Sequence, residues 1–528
     1  PWWLYPSNHP GVVENFYMGL EDGGKVPWSA WFGPIFSGVS VALAMTAIGV
    51  GITAIFQKQW IEHERLAYPL AQASLELTEG FDRQRGWAPF VCSWTFWLGF
   101  GIASLPLLWN IVEFFVLGFP RIPIFDAYFG PFGPMGFQIS RYLPAFSYRL
   151  LPTVIGFTFL CDLNILFSIW SLYLVGLVIR YAMNRTGFSL GLAGQEANTG
   201  EILGLFSHGV MLGLVLAAIW VARGHLRWIG SQVWCPSEGE RQEAEILSPR
   251  GAVICFFLGT TYMVFWLYQT GYSLTMGAVW LGLLWVSIFA VMKFLAASGF
   301  AYLFPNWGWG KAIPEILGGT IRMSDSTLVA MRVVNWRLMP GWRLPMVLPH
   351  IKQLYGSHIG ISWMIFGSVL LGALIAGIYT IWICYVEGGA TFRTWSLVGA
   401  PKGMYNGIAS AISTERTVTD PAKIFVWFIG IAMASIATLI QTRIPWWPIH
   451  PLGFMLMFDQ GFVRLYVVNI FLVWLAKRMI LQFGGIQLYR WVKPVFYGLI
   501  VGYPFAAGCS FLVDFLWFSG GGHYIHGY

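Results

Sequence analysis

Apolar residues in this chain follow neither the strand period nor the amphipathic helix period; they run together in blocks. Hydrophobicity on every side is what a helix shows when lipid, not water, surrounds it. A crossing needs roughly 20 apolar residues. Blocks of that order predict crossings at about 28–56, 88–116, 204–222, 251–269, 274–299, 361–385, 423–442 and 495–518. Two more blocks, 151–182 and 444–476, are too long for one upright helix, and both are interrupted. Asp162-Leu163-Asn164 breaks the first; Pro448, Pro451, Gly453 and Asp459-Gln460-Gly461 break the second. The pattern predicts an all-α polytopic integral membrane protein, with about eight full crossings and two broken or re-entrant hairpins.

Charge then suggests an orientation. If each interrupted block enters and leaves on one side, Lys and Arg favour the inner side roughly two to one. Lys477, Arg478, Arg490 and Lys493 count there as an inner loop. One hairpin then enters from outside and the other from inside, as inverted repeats arrange them in secondary transporters. By chain order the sequence divides into a membrane half at 1–233, an inner linker at 234–250 and a second half at 251–528. The linker carries Glu238, Glu240, Arg241, Glu243 and Glu245. The basic, Trp- and Pro-rich stretch 300–360 is expected to hold short interfacial helices.

Composition removes whole classes of function. Hydrophobic residues make up 57% and charged residues 10% of the chain, whereas a soluble protein carries about a quarter charged. The net charge of +7 is spread through loops between spans and forms no nucleic-acid face. Six scattered cysteines without a CxxC pair suggest neither a disulfide framework nor a zinc site. Gly308-Trp309-Gly310-Lys311-Ala312 fails as a phosphate loop, because position 312 is not Ser or Thr and position 305 is Pro. HExxH is absent, and an enzyme of the soluble type is not expected.

A charge inside hydrocarbon costs at least about 2.5–3.5 kcal/mol, so each one needs a reason. Asp162, beside Asn164 at the first break, is either a substrate- or ion-binding group or the cap of the following half-helix. Asp459 is its counterpart in the second break. Glu113 near the end of the second crossing and Asp514 in the last are proton-coupling candidates, or partners of a Lys or Arg on a neighbouring helix. His450, bracketed by prolines, sits on irregular backbone where substrate contact is feasible. His208 lies in an otherwise apolar crossing. With His450 it raises haem or pigment ligation as a minor alternative, though no pair on one helix has ligand spacing.

The first crossing runs into Gln57-Lys58-Gln59-Trp60-Ile61-Glu62-His63-Glu64-Arg65-Leu66-Ala67-Tyr68-Pro69-Leu70. Downstream stands Ile444-Pro445-Trp446-Trp447-Pro448-Ile449-His450-Pro451-Leu452-Gly453. An apolar helix ending in a mixed-charge knot and then Tyr-Pro resembles the helix-end motif of the oligopeptide transporter superfamily. Both segments, with Val154–Leu160 and Phe167–Trp170, look more closely like a family of uncharacterised bacterial polytopic membrane proteins. The resemblance implies a gradient-driven transporter of a peptide, amino-acid-like or metal-chelate substrate, in the bacterial inner membrane. It also implies that Glu62, Glu64, Arg65, Tyr68 and Pro69 set a helix end near the translocation path, and that further helices precede Pro1. One departure stands out. Lys293–Gly299 resembles a helix end where relatives often carry an acid, and here that position is Ala297.

Two readings follow. In the first, a secondary transporter binds its small-molecule substrate between the two broken hairpins, near Asp162, Asn164, Asp459 and His450. In the second, a non-transporting subunit scaffolds a larger membrane complex, which the 18% aromatic content and Ala297 would suit. The partners expected are the bilayer, the substrate, and either further copies of the chain or other membrane subunits.

Overall fold

The computed structural model describes residues 10–21, 23–78, 90–116, 136–137, 139–144, 146–147, 150–194, 196–235, 247–300, 361–392, 419–444, 446–459 and 463–518, with a few further single positions. Nearly all of the 300–360 stretch and most of the 234–250 linker lie outside these. The regular elements among the described residues are helices, apart from a two-residue antiparallel pair, β1 (Gly136–Phe137) and β2 (Phe146–Ser147), and an isolated bridge between Leu190 and Ala197. Nine helical runs among them are long and apolar enough to cross a membrane, as the apolar blocks predict. The chain is a multi-pass, all-α membrane protein.

Two compact units emerge, each assembled from separate stretches. The first takes Pro1–Arg65, Ile219–Met292 and Gly308–Pro421; the second takes Leu66–Ala218, Lys293–Trp307 and Ala422–Tyr528.

In the first unit lie α1 (Pro10–Met18), α2 (Trp28–Lys58) and a π-helical turn, Gln59–His63, that continues it. The chain re-enters this unit at Ile219. Its later helices are α8 (Arg223–Trp234), α9 (Pro249–Gln269), most of α10 (Leu274–Ser298) and α11 (Ile361–Glu387). Ser248 caps α9 by accepting from Gly251 N, and Pro249 follows at the first helical position. Helices α2 and α9 cross at Gly51 and Gly259, each facing the other helix's backbone.

The second unit holds α3 (Pro69–Thr78), α4 (Trp94–Ile111), α5 (Pro152–Leu160), α6 (Leu163–Thr186) and most of α7 (Thr199–Val221). It also holds α12 (Pro421–Arg443), α13 (Gly453–Leu456) and α14 (Val463–Trp517). The 55-residue α14 is not one rod. Gly485, at φ 58 and ψ −158, breaks it. On a straight helix Lys477 and Phe496 would stand about 28 Å apart. Instead Lys477 Nζ bonds the Phe159 carbonyl at 2.8 Å while Phe496 stacks on the Phe159 ring at 3.6 Å. The arms Val463–Gly484 and Ile486–Trp517 therefore fold back beside each other. This corrects one expectation: Lys477, Arg478, Arg490 and Lys493 are helical residues flanking a bend, not a loop. Polarity lowered the local hydropathy, but a hairpin of two helices satisfies its own backbone and tolerates such residues near its tip.

Both interrupted blocks are hairpins. Helix α5 approaches the Gly485 bend, with Gly156 against Phe496 and Ile500. The chain breaks at Cys161-Asp162, and α6 runs away from the bend until Gly187 closes it in the left-handed conformation. The second hairpin starts beside the first break, where His450 N bonds Ser168 Oγ at 2.6 Å. It travels along α6 through the single turn of α13, past Gly176 at Met457, to Arg180, whose Nη2 donates to the Phe458 carbonyl at 3.3 Å. It turns at Asp459 and returns as the first arm of α14, with Phe471 on Trp170 and Trp474 on Phe167. One hairpin breaks towards the bend and the other turns at the far end, so their directions are opposed.

Candidate functional site

Helix ends are where backbone groups lose their partners, and in the second unit several of them meet at one depth. Helix α5 ends after Leu160 with its last carbonyls unpaired in the helix. Lys477, only 7% exposed, reaches them from α14: Nζ donates to the Phe159 carbonyl at 2.8 Å and to the Cys161 carbonyl at 2.6 Å. The same ammonium sits 5.6 Å from the Phe159 ring centroid and 5.4 Å from that of Tyr489. Lys477 precedes Gly485 by about 12 Å of helix, well inside the arm.

Across the break, α6 begins. Asp162 has extended geometry and accepts the Asn164 N–H at 2.7 Å, an N-cap. Asp162 and Asn164 remain exposed. One turn on, the Ser168 hydroxyl donates to the Asn164 carbonyl at 2.5 Å and accepts from His450 N. The proline-bracketed loop is thereby pinned to α6. His450 Nδ1 accepts from Leu452 N at 3.2 Å, and both Asp162 and Lys293 lie within electrostatic reach of the ring.

Two more helix ends join. The Cys161 thiol donates to the Ser298 carbonyl at the end of α10. Tyr68 N donates to the Ala296 carbonyl at 2.9 Å, and Gly299, at φ 71, leaves the space that Pro69 fills. Tyr68 is buried and takes φ 45, a left-handed conformation that bulky residues rarely adopt. Ala297 lies buried in this same turn. The Tyr-Pro motif, the Ala296–Gly299 helix end, the Asp162 break and the His450 loop thus occupy one region. Along the chain they lie near positions 68, 162, 297 and 450.

A second polar group stands beside this region. Lys493 Nζ meets both Glu76 oxygens at 2.5 and 2.7 Å, and Tyr497 OH donates to Glu76 Oε2 at 2.5 Å. Tyr489 stacks on Phe159 at 5.2 Å and links the two groups. Sequence reasoning passed over Lys477, Lys493, Glu76 and Cys161. The lysines read as loop charges, and Glu76 falls on a short helix with no apolar block to set it off. A signal was present: Lys477 and Lys493 flank Gly484-Gly485 at similar separations, as two arms of a hairpin would place them.

The remaining candidates lie elsewhere. Asp459 caps α14, accepting from Val463 N at 2.9 Å, about 27 Å along α6 from Asp162. Asp514 accepts from His523 N at 2.8 Å and meets His523 Nδ1 at 2.7 Å, while His523 stacks on Phe114 next to Glu113. His208 is buried in α7. Among the described residues no group of three His, Cys, Asp or Glu side chains is placed to hold a metal. The charged knot belongs to the first unit. Glu62 lies in the π-helical turn, Glu64 N bonds the Gln59 carbonyl, and Arg65 takes φ 49. Helix α8 packs there, with His225 Nε2 2.7 Å from the Ile55 carbonyl and Lys58 over Trp228 at 4.7 Å. Burial pushes the His225 imidazole below its ordinary value, with the Ile55 contact opposing that shift.

Opposed broken hairpins in a multi-pass helical bundle, with several helix ends gathered in one region, define a polytopic membrane protein with a polar site at those ends. The chain belongs to a family described only as a family of unknown function (DUF6785), whose model matches residues 1–523. No curated protein matches it.

Proposed function

We propose that the protein is a secondary transporter, driven by an ion gradient, with its binding region at the Asp162 break. The observation that carries this reading is the meeting of the α5, α6 and α10 ends with the His450 loop and the start of α3. Irregular backbone at membrane depth is tolerated where protein buries it or where it lines a water-filled path. Carriers use half-helix ends at such places to hold substrates and ions. The resemblance of the Glu62–Pro69 and Ile444–Gly453 segments to oligopeptide-transporter relatives adds a substrate class: peptides, amino-acid-like molecules or metal chelates. It also adds a location, the bacterial inner membrane. Asp162 supplies the negative charge for an amine or a coordinated cation, and His450, whose Nδ1 is taken by Leu452 N, offers Nε2 beside it.

The test is uptake into proteoliposomes from a panel of labelled dipeptides, amino acids and metal chelates. Asp162→Asn keeps a capping side chain but loses the charge. Uptake by the wild type that vanishes in Asp162→Asn, with oligomer size unchanged, supports the site. Uptake equal in both reduces Asp162 to a cap, and no uptake across the panel favours the scaffold reading.

A further inference from the structure

We propose that Lys477 is the resident cation of this carrier: its ammonium fills the place at the end of a half-helix where ion-coupled carriers seat sodium, and its proton ties or frees the break. The inference rests on the transport reading and names the coupling ion as the proton.

The end of α5 presents a partial negative charge and carbonyls without helical partners. In broken-helix carriers such carbonyls coordinate the driving ion. Here one side chain from α14 takes both, at 2.8 and 2.6 Å. Lys477 is buried, with ring faces of Phe159 and Tyr489 beside it. Among the described residues no carboxylate bonds it. The groups facing it are Cys161 and Asp162 from the break, and Tyr489 and Lys493 from its own hairpin; Glu76 of α3 stands behind Lys493. Asp162 lies within electrostatic reach, but one of its oxygens is engaged by Asn164 N–H. Lys493 is already matched by Glu76.

A lysine locked to a carboxylate keeps its proton. One held by neutral carbonyls is retained by dipoles alone, so its proton is the more easily lost while the ammonium is kept out of water. The neutral amine has lost its charge and one donor, and its hold on α5 weakens. Protonated, the break is tied; deprotonated, it is released. A sodium ion has no room while the side chain is present.

Two measurements on the full chain in lipid nanodiscs test this, neither requiring a known substrate. First, thermal unfolding is followed in sodium chloride against choline chloride. Wild type and Lys477→Arg should show no sodium-specific shift. Lys477→Ala, which empties the place but leaves both carbonyls, should gain a rise of several degrees in Tm with sodium, and Lys477→Met, which fills it with apolar volume, should not. Second, and independent of whether any variant folds, amide exchange of the wild type is compared across pH after correction for the intrinsic rate. Protection of 153–161 should fall several-fold at alkaline pH while the α4–α14 crossing stays unchanged.

A folded Lys477→Ala without a sodium response, a wild type stabilised by sodium, or pH-independent protection of α5 would each overturn the proposal. Uptake driven by sodium would also overturn it while leaving transport standing. Both shifts appearing without uptake of any panel substrate would uphold the resident cation and remove the transport reading.

Discussion

Asp162 shows how one side chain carries two separable duties. Its bond to Asn164 N is a cap, and replacing a cap by Ala costs about 0.5–2 kcal/mol, whereas Asn serves nearly as well as Asp. Asp162→Ala should therefore lower Tm by a few degrees and Asp162→Asn hardly at all, as differential scanning fluorimetry would read. His225 offers a residue-scale prediction of a different kind. Its imidazole is pushed below the ordinary 6.5, so the folded state favours the neutral ring. That stabilisation is complete above about pH 6.5 and is lost as pH falls below it, because the unfolded chain binds the proton more readily. Amide exchange in α8 should rise on acidification in the wild type and lose that dependence in His225→Gln. Asp162 was legible in the sequence because a lone acid interrupts an apolar block. Lys477 was not, because Arg478 beside it and Arg490 and Lys493 beyond the bend make a charged stretch look like a loop. Only the carbonyls of Phe159 and Cys161 reveal what it does.

Helices in this chain meet through glycine. Gly99 on α4 faces the Val495 backbone, and Gly498 on α14 faces the Phe96 carbonyl, so a Cβ at either would overlap main chain. Lipid supplies no hydrophobic drive between helices, so close backbone approach does the work. The same device recurs in this unit where Gly209 of α7 meets Trp427 and Gly430 of α12. Gly498→Leu should destabilise by about 1–3 kcal/mol through overpacking. Gly508→Leu, on the same arm with open space around it, is the control and should leave the melting temperature within a degree or so of wild type. Element existence was legible, since apolar blocks of span length have one explanation. Which helix meets which was not, because Gly-spaced pairs occur throughout the sequence and nothing local separates Gly498 from Gly508. The bend at Gly485 was hidden for a related reason: Lys477 and Arg478 before it and Arg490 and Lys493 after it lower the hydropathy of the whole stretch, so the turn does not stand out.

At the scale of the molecule, the chain passes between its two units repeatedly rather than once. The second unit needs Leu66–Ala218 and Ala422–Tyr528 together. A polypeptide cut in the acidic linker, between Gly239 and Glu240, should give two fragments that aggregate when expressed alone and form one monodisperse species when co-expressed. Size-exclusion chromatography of the tagged fragments reads the outcome; a well-behaved single fragment would contradict it. Linker composition marks a solvated loop but says nothing about which helices pair across it. The opposed hairpins were more legible, because the breaks at Asp162 and Asp459 and the charge asymmetry constrain the path jointly.

The contact between Lys477 and the Phe159 carbonyl spans 318 residues, and this separation governs how the protein is made. At a synthesis rate of roughly 5–20 residues per second, the broken end of α5 waits on the order of 15–60 s after emerging before its stopper exists. During that interval two carbonyls and an acid sit in a partly assembled bundle with no ammonium to receive them. The last hairpin is thus the closing stitch of biogenesis. Chains terminated before residue 477 would carry an unsealed polar break in lipid, a mark by which membrane proteases can tell an unfinished molecule from a finished one.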